Sequence, residues 1–242
     1  DGSKLTRATL KFQAACAAAV KRIIAEREFD FVGIKCHYDM SEYVCTQCLS
    51  AAFLPSRIDW DGPREPIACA CEADSDGAMT MQILQLLSDE PSLFMDLRHF
   101  NEQRELWTMC NCGAQSIDYA ARSDRPEENL KQAELVPVIP KYGGTGCHVR
   151  YLGCEGPLTL ARLMHDRDGM ALLAFRGEAV QADPAWLEEG CPSWPHLFVR
   201  TETGPRELLR ALHANHVHAV SGHWIDELRQ FAQMTGLRFI EV

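Results

Sequence analysis

The chain of 242 residues reads as an α/β protein: part of a parallel α/β sandwich, followed by a mixed, mainly antiparallel, β-barrel-like section with helices. Three observations predict this. Up to about residue 88, helical and strand-like stretches alternate, the pattern of a parallel sheet with helices on its faces. From about residue 135 to 179, short β-prone runs broken by glycine follow one another at the spacing of an antiparallel sheet or barrel. The last part then runs helix, strand, helix, strand. The expected boundary puts residues 1–88 in a partial Rossmann-like domain and residues 89–242 in a β-rich α+β domain.

Taken in order, residues 10–25 place Phe12, Cys16, Ala19, Val20, Ile23 and Ile24 on one helical face, rich in alanine and without Gly or Pro. Residues 31–36 read as a buried strand. Residues 41–54 are expected to be helical with Ser41 as N-cap, and the cluster around Asp59, Gly62 and Pro63 as a loop. A second apolar run, 66–71, is a strand that ends at Glu72. Asp76 and Gly77 open a helix whose Met79, Ile83, Leu86 and Leu87 recur at helical spacing, with Ser88-Asp89-Glu90-Pro91 as the stop. Leu93-Phe94-Met95 then leads to Asp96. A crossover of this length makes the two flanking strands parallel, so Glu72 and Asp96 are expected at the same edge of one sheet. Further strands are expected at 107–110, 136–139, 148–152, 158–161, 170–175 and 197–200. Helices at 205–212 and 223–235 alternate with strands at 216–220 and 237–242.

The 46% hydrophobic and 24% charged fractions are ordinary for a globular protein, and the net charge is −10. Nucleic acid is excluded as a partner by that charge and by the absence of any Lys/Arg run. No apolar stretch approaches a membrane span, and the first residues lack a signal-peptide pattern. Eleven cysteines, an odd number lying within apolar patterns, predict free buried thiols and a cytoplasmic setting. Cys45-Thr46-Gln47-Cys48 has zinc-site spacing. The pairs Cys69/Cys71 and Cys110/Cys112 do not, having one intervening residue, so a structural zinc is disfavoured.

Two carboxylates facing one crevice repel unless a cation lies between them. Four of the nine histidines, His213, His216, His218 and His223, fall within eleven positions, and one imidazole from this cluster would complete a site with Glu72 and Asp96. Such a set suits Mn²⁺ or Mg²⁺, since Zn²⁺ prefers more nitrogen or sulfur. The plainer alternative makes Glu72 a helix cap, Asp96 a solvated acid and the histidines surface or core fillers.

The stretch from Asp59 to Pro66, then Glu72-Ala73-Asp74-Ser75 and Phe94-Met95-Asp96-Leu97-Arg98, resembles the L-fucose isomerases, with L-arabinose isomerases more distant. The similarity continues at Gly156-Pro157-Leu158-Thr159-Leu160-Ala161-Arg162, Ala214-Asn215-His216 and Gly222. It implies that Glu72, Asp96 and His216 hold a divalent ion, usually Mn²⁺, and that the two acids form the proton-transfer pair. It sets Lys35 and Asn215 against the substrate. The family has an amide where Lys35 stands, an aromatic at Cys147 and a hydroxyl at Ala114; these departures bear on substrate identity. The implied function is a metal-dependent aldose–ketose isomerase acting on a monosaccharide of fucose or arabinose type through a cis-enediolate. Members are twice this long, so the resemblance implies a C-terminal half whose partners are the N-terminal half of the same protein and further copies in a homo-oligomer. The alternative is a non-catalytic sugar- or metal-binding protein of isomerase type; a metal-dependent hydrolase is weaker, for want of a separate general base.

Overall fold

The computed structural model describes residues 2–242. Helix α1 (Arg7–Arg27) begins with a reciprocal cap, Thr6 and Thr9 each accepting a backbone N–H from the other, and stops at Glu28 in the left-handed region. It leads into β1 (Phe31–Ile34). The helix expected over residues 41–54 is broken into α2 (Ser41–Tyr43) and α3 (Cys48–Phe53), and Ser41 lies inside the first piece instead of capping it. The reason lies in the intervening backbone. Thr46 gives its carbonyl to the buried Gln13 amide at 3.0 Å and its N–H to Thr145, so neither is left for a helix.

A short hairpin, β2 (Ile58–Asp59) with β3 (Gly62–Pro63), is fixed to α1 by Lys21, which reaches Asp59 at 2.6 Å and Asp61 at 2.7 Å. Strand β4 (Ala68–Cys71) follows, buried throughout, and pairs with β1 in parallel so that Ile34 faces Cys71. Helix α4 (Ser75–Ser88) is capped by Asp74, whose Oδ1 accepts the Gly77 N–H at 2.8 Å. Next come β5 (Leu93–Asn101), β6 (Leu106–Cys110), α5 (Pro126–Lys131), β7 (Glu134–Pro137) and β8 (Cys147–Arg150). The chain closes with β9 (Gly156–Asp166), β10 (Gly169–Ala179), β11 (His196–Thr201), α6 (Pro205–Ala211), β12 (His216–Ser221), α7 (Ile225–Thr235) and β13 (Arg238–Glu241).

Seven strands form one sheet in the order β11-β6-β5-β12-β9-β10-β13. Its neighbours are antiparallel apart from β10 and β13, and the end of β10 also pairs with β11, so the sheet curls back on itself. Leu93, Met95, Leu160, Phe175 and Leu197 lie in its core.

The crossover around α4 departs from expectation. Strand β5 has β6 on one side and β12 on the other, both antiparallel, so no edge is left for β4. Glu72 and Asp96 therefore leave two different sheets, and the parallel layer expected for residues 1–88 is reduced to the β1–β4 pair. Helix α4 still draws the sheets together, packing Ala78 and Met81 with Ala70 and Phe94, and Ile83 and Leu84 with Ala161 and Val220.

All eleven cysteines are free, seven of them buried. Among the described residues, no helix is long and apolar enough to cross a membrane. One glycine is indispensable for packing. Gly113 has φ +100°, and an added Cβ would lie 2.0 Å from His148 Nδ1 and 2.8 Å from Cys48 Sγ. Gly113→Ala is expected to cost about 1–3 kcal/mol by overpacking, read as a fall in the urea midpoint with unchanged slope. An unchanged midpoint would mean that the loop relaxes at no cost.

Candidate active site and metal centre

The three implied ligands come from two strands of the large sheet and from the turn after β4. Asp96 on β5 stands directly opposite His216 on β12, so antiparallel register alone makes them neighbours. Glu72 arrives from β4 through an unusual turn. It and Ala73 both lie in the left-handed region, with φ of 58° and 57°. Such a conformation costs a residue with a side chain about 1–2 kcal/mol. Two hydrogen bonds hold it, Ala73 N–H to Ile34 O and Asp74 N–H to Cys71 O, each 3.1 Å. Strain maintained in this way turns Glu72 off the strand direction. Its Oε2 lies 3.6 Å from His216 Nε2, and Asp96 Oδ1 lies 3.5 Å from the same nitrogen.

The other imidazole nitrogen is fixed from behind. His216 Nδ1 donates to Asp74 Oδ2 at 2.7 Å, and Phe94 packs on the ring with centroids 4.3 Å apart. Asp74 also binds the Arg162 guanidinium through both oxygens, with Nη2 at 2.9 Å from Oδ1. Arg162 in turn touches His218 Nε2 at 3.1 Å. Burial alone would raise the Asp74 carboxyl. The bonds from His216, Arg162 and the Gly77 N–H outweigh it and hold the group well below the usual carboxylate range.

The two acids at Nε2 are driven apart. Glu72 is lowered, chiefly by its interaction with His216. Asp96 is raised, first by burial and then by Glu72, against the pull of His216 and Arg98. Burial works against charge on His216, yet Asp74, Glu72 and Asp96 together raise it to about 9. His218, wholly enclosed, is pushed down to about 3 by burial and then by Arg162. An imidazole with acids on both nitrogens is poised to hold a positive charge, its own or an ion's.

The remaining predicted residues fall as follows. Asn215 donates from Nδ2 to Asp96 Oδ1 at 3.1 Å, and the same nitrogen lies 3.2 Å from His216 Nε2. Lys35 follows the β1 end that faces Cys71, but its ammonium is turned outward, 3.4 Å from Asp39 and 69% exposed. His213 bonds the Arg210 carbonyl and His223 is exposed, so of the cluster only His216 meets the acids. Cys147, where the family has an aromatic, is buried with its thiol on Gln13 Oε1, and Ala114 is buried in the same core. Cys45 and Cys48 diverge, one toward Cys16 and the other toward His148.

Sequence reasoning missed three residues. Asp74 and Arg162 stand within longer motifs, but nothing in their spacing shows that they meet across 88 positions. Tyr142 lines an enclosed cleft with Cys36, Cys71 and Cys112, and Cys112 Sγ lies 3.8 Å from Glu72 Oε1. Tyr142 comes from a loop with no strand or helix signal, and the cleft it lines lies beside Glu72 without including Glu72, Asp96 or His216.

Among the described residues, no group of three His, Cys, Asp or Glu side chains is placed to hold a metal ion as the side chains stand. The donor chemistry nevertheless fits a divalent cation at Nε2. With Nδ1–H held by Asp74, the proton that His216 gives up to take an ion comes from Nε2, the usual arrangement behind a metal-bound histidine. Ligands about 2.1 Å from an octahedral ion stand about 3 Å apart, so each carboxylate needs to approach by about half an ångström. The Asn215 amide donates to Asp96 Oδ1 at 3.1 Å, which orients that carboxylate.

Comparisons with known proteins bear on the same region. A family profile described as L-fucose isomerase, C-terminal domain, matches residues 109–242. The chain is 24% identical over 241 residues to a sulfoquinovose isomerase of Alkalicoccus urumqiensis, covering 97% of this chain and 49% of that protein. It is 22% identical over 220 residues to sulfoquinovose isomerases of Priestia aryabhattai and Priestia megaterium, covering 90% of this chain and 45% of each. The chain spans about half the length of these curated relatives.

Proposed function

The chain belongs to the L-fucose isomerase C-terminal domain family, and on that premise we propose that it is part of a sugar isomerase that interconverts an aldose and a ketose. The observation that carries the reading is the meeting of two carboxylates at one imidazole nitrogen, 3.5 and 3.6 Å away. Alignment with about half of each relative supports a place as the C-terminal part of a longer protein.

Moving a proton between neighbouring carbons requires a base for the carbon-bound proton, a group to serve the oxygen proton, and stabilisation of the negative charge that develops. Glu72 and Asp96 supply the first two. Glu72, Asp96 and His216 would hold a divalent ion, Mn²⁺ or Mg²⁺ by donor type. When bound, that ion supplies Lewis-acid stabilisation to the sugar oxygens. Asp74 and Arg162 keep the His216 ring turned so that Nε2 faces the acids. Asn215, beside Asp96, binds a sugar hydroxyl. Lys35 reaches the rim of the site by leaving Asp39. The strained Glu72–Ala73 turn keeps the carboxylate aimed at the site before any sugar arrives.

The test uses the full-length protein, freed of metal and then supplied with Mn²⁺. Ketose formation is measured from L-fucose, L-arabinose and sulfoquinovose, the last because the relatives carry its name. Ketose from at least one of these sugars, lost on chelation and restored by Mn²⁺, is the expected result. Sugar binding with neither ketose formation nor uptake of solvent deuterium would establish a non-catalytic binder instead.

A further inference from the structure

Cysteines such as Cys69 and Cys110 are fully buried and pack as small apolar side chains. Cys112, in the loop after β6, is different. It is partly exposed, and its sulfur is hydrogen-bonded to the Cys71 thiol and to the Tyr142 hydroxyl and lies 3.8 Å from Glu72 Oε1. Cys71, the last residue of β4, is 7% exposed and lines the same cleft as Tyr142. An accessible thiol backed by a buried one is the arrangement by which a dithiol senses an oxidant, the first sulfur meeting it and the second resolving the product.

The pair also bridges the two sheets that supply the acids. Cys71 immediately precedes Glu72, and its carbonyl accepts the Asp74 N–H at 3.1 Å that holds the left-handed turn. Cys112 stands just beyond Cys110, which pairs with Asp96 across β5 and β6. The two sides differ in stiffness. In the Cys112 loop, Asn111 Oδ1 accepts the Cys112 N–H at 2.7 Å, Asn111 Nδ2 donates to the Ala114 carbonyl at 2.7 Å, and Gly113 packs without spare room against His148 and Cys48. The turn carrying Glu72 is strained and held by two backbone bonds, so it is the side that gives.

We propose that Cys71 and Cys112 form a peroxide-sensitive dithiol whose disulfide turns Glu72 away from His216 and Asp96 and so shuts the site reversibly. The oxidant is a hydroperoxide. Cys112 sulfur attacks its terminal oxygen, the O–O bond breaks, and the other oxygen leaves as water or an alcohol carrying the thiol proton. Cys71 sulfur then attacks the Cys112 sulfenic acid, the S–S bond forms, the S–O bond breaks, and water leaves with the Cys71 proton. Two thiols lose two electrons and one hydroperoxide gains them. The sulfurs of a disulfide stand about 2.05 Å apart, against 3.8 Å in the hydrogen-bonded Cys16–Cys45 pair. A closing of this size displaces Glu72 and takes the Cys112 thiol from it, and misplacing a catalytic group by about 1 Å costs on the order of 10² in rate. The effect on turnover rests on the isomerase reading above, whereas formation of the bond does not.

The test treats the reduced full-length protein with excess hydrogen peroxide, blocks the remaining thiols and maps tryptic peptides without reduction. Peptides 65–98 and 105–122, which carry Cys71 and Cys112, are expected to be joined in the parent and to separate in Cys112→Ser. Turnover with Mn²⁺ should fall by at least about tenfold on oxidation and return with dithiothreitol. Cys16→Ser removes the other close pair and should behave as the parent does. Cys112→Ser, measured against its own untreated form, should keep its turnover. In Cys71→Ser nothing resolves the sulfenic acid, so Cys112 goes on to the sulfinic acid and dithiothreitol no longer restores activity. Joined peptides with unchanged turnover, or oxidised protein without them, overturn the proposal and leave the isomerase reading intact. If the reduced protein turns over no sugar, the isomerase reading falls and the joined peptides alone decide the dithiol: present in the parent and lost in Cys112→Ser, they uphold it, and their absence from the parent overturns it.

Discussion

Glu72→Gln and Asp96→Asn in the full-length protein are each expected to lower aldose–ketose turnover by at least about a thousandfold, since positioned acid–base groups contribute about 10²–10⁴ and on the proposed reading these two would also hold the ion. The substitutions keep volume and polarity and remove only the charge. The fold should survive both. Glu72 is partly exposed and its amide analogue keeps the strained turn, which is held by backbone bonds from Ala73 and Asp74. Asp96 is raised by burial, so neutralising it removes a desolvation cost, although the donor bond from Asn215 must be kept through the remaining carbonyl oxygen. The measurement is kcat under saturating Mn²⁺ together with Mn²⁺ affinity by calorimetry. A loss of turnover at full metal occupancy assigns proton transfer to these acids. Near-normal turnover in either variant would remove that residue from the acid–base pair.

How much of this was legible in the sequence follows from range. Strands β9, β10, β11 and β12 and helices α4, α6 and α7 were readable because apolar periodicity and turn residues are local signals. The helix over residues 41–54 was not, because its backbone is claimed by Gln13 and Thr145 from other parts of the chain. The fate of β4 shows the same limit. A crossover rule gives the handedness of two strands in one sheet, but whether β5 has a free edge depends on β6 and on β12, which lies more than a hundred positions later. At the site, Glu72 and Asp96 stood out as acids at strand ends, motif resemblance singled out His216 and Asn215, and the four side chains lie together. Asp74 and Arg162 could not be found, because a buried ion pair between residues 74 and 162 leaves no periodic mark.

Asp74→Asn is the substitution that separates orientation of His216, the proposed ion ligand, from the chemistry at it. The carboxylate accepts from four groups: Gly77 N–H and Arg162 Nη2 at Oδ1, and Arg162 Nη1 and His216 Nδ1 at Oδ2. An amide offers one acceptor and one donor in the same plane. If the oxygen stays on the helix cap, the NH₂ group faces two donors, and His216 escapes the conflict only by moving its proton to Nε2. That tautomer cannot bind an ion through Nε2. Mn²⁺ affinity is therefore expected to fall by about 10–100-fold, the usual cost of losing such an orienting partner. Stability should fall too, by about 3–5 kcal/mol, because the 7% exposed Arg162 loses its buried counter-charge. The pH dependence has a definite sign. With its folded pKa depressed, Asp74 contributes stability above the unfolded value of about 4 and loses it as pH falls through the lower folded value. The variant should therefore show a flatter loss of stability between about pH 5 and pH 2 than the parent protein. Urea midpoints across that range and Mn²⁺ calorimetry at neutral pH check both parts. An Asp74→Asn protein that binds Mn²⁺ as tightly as the parent would show that the Nδ1 bond does not set the His216 tautomer.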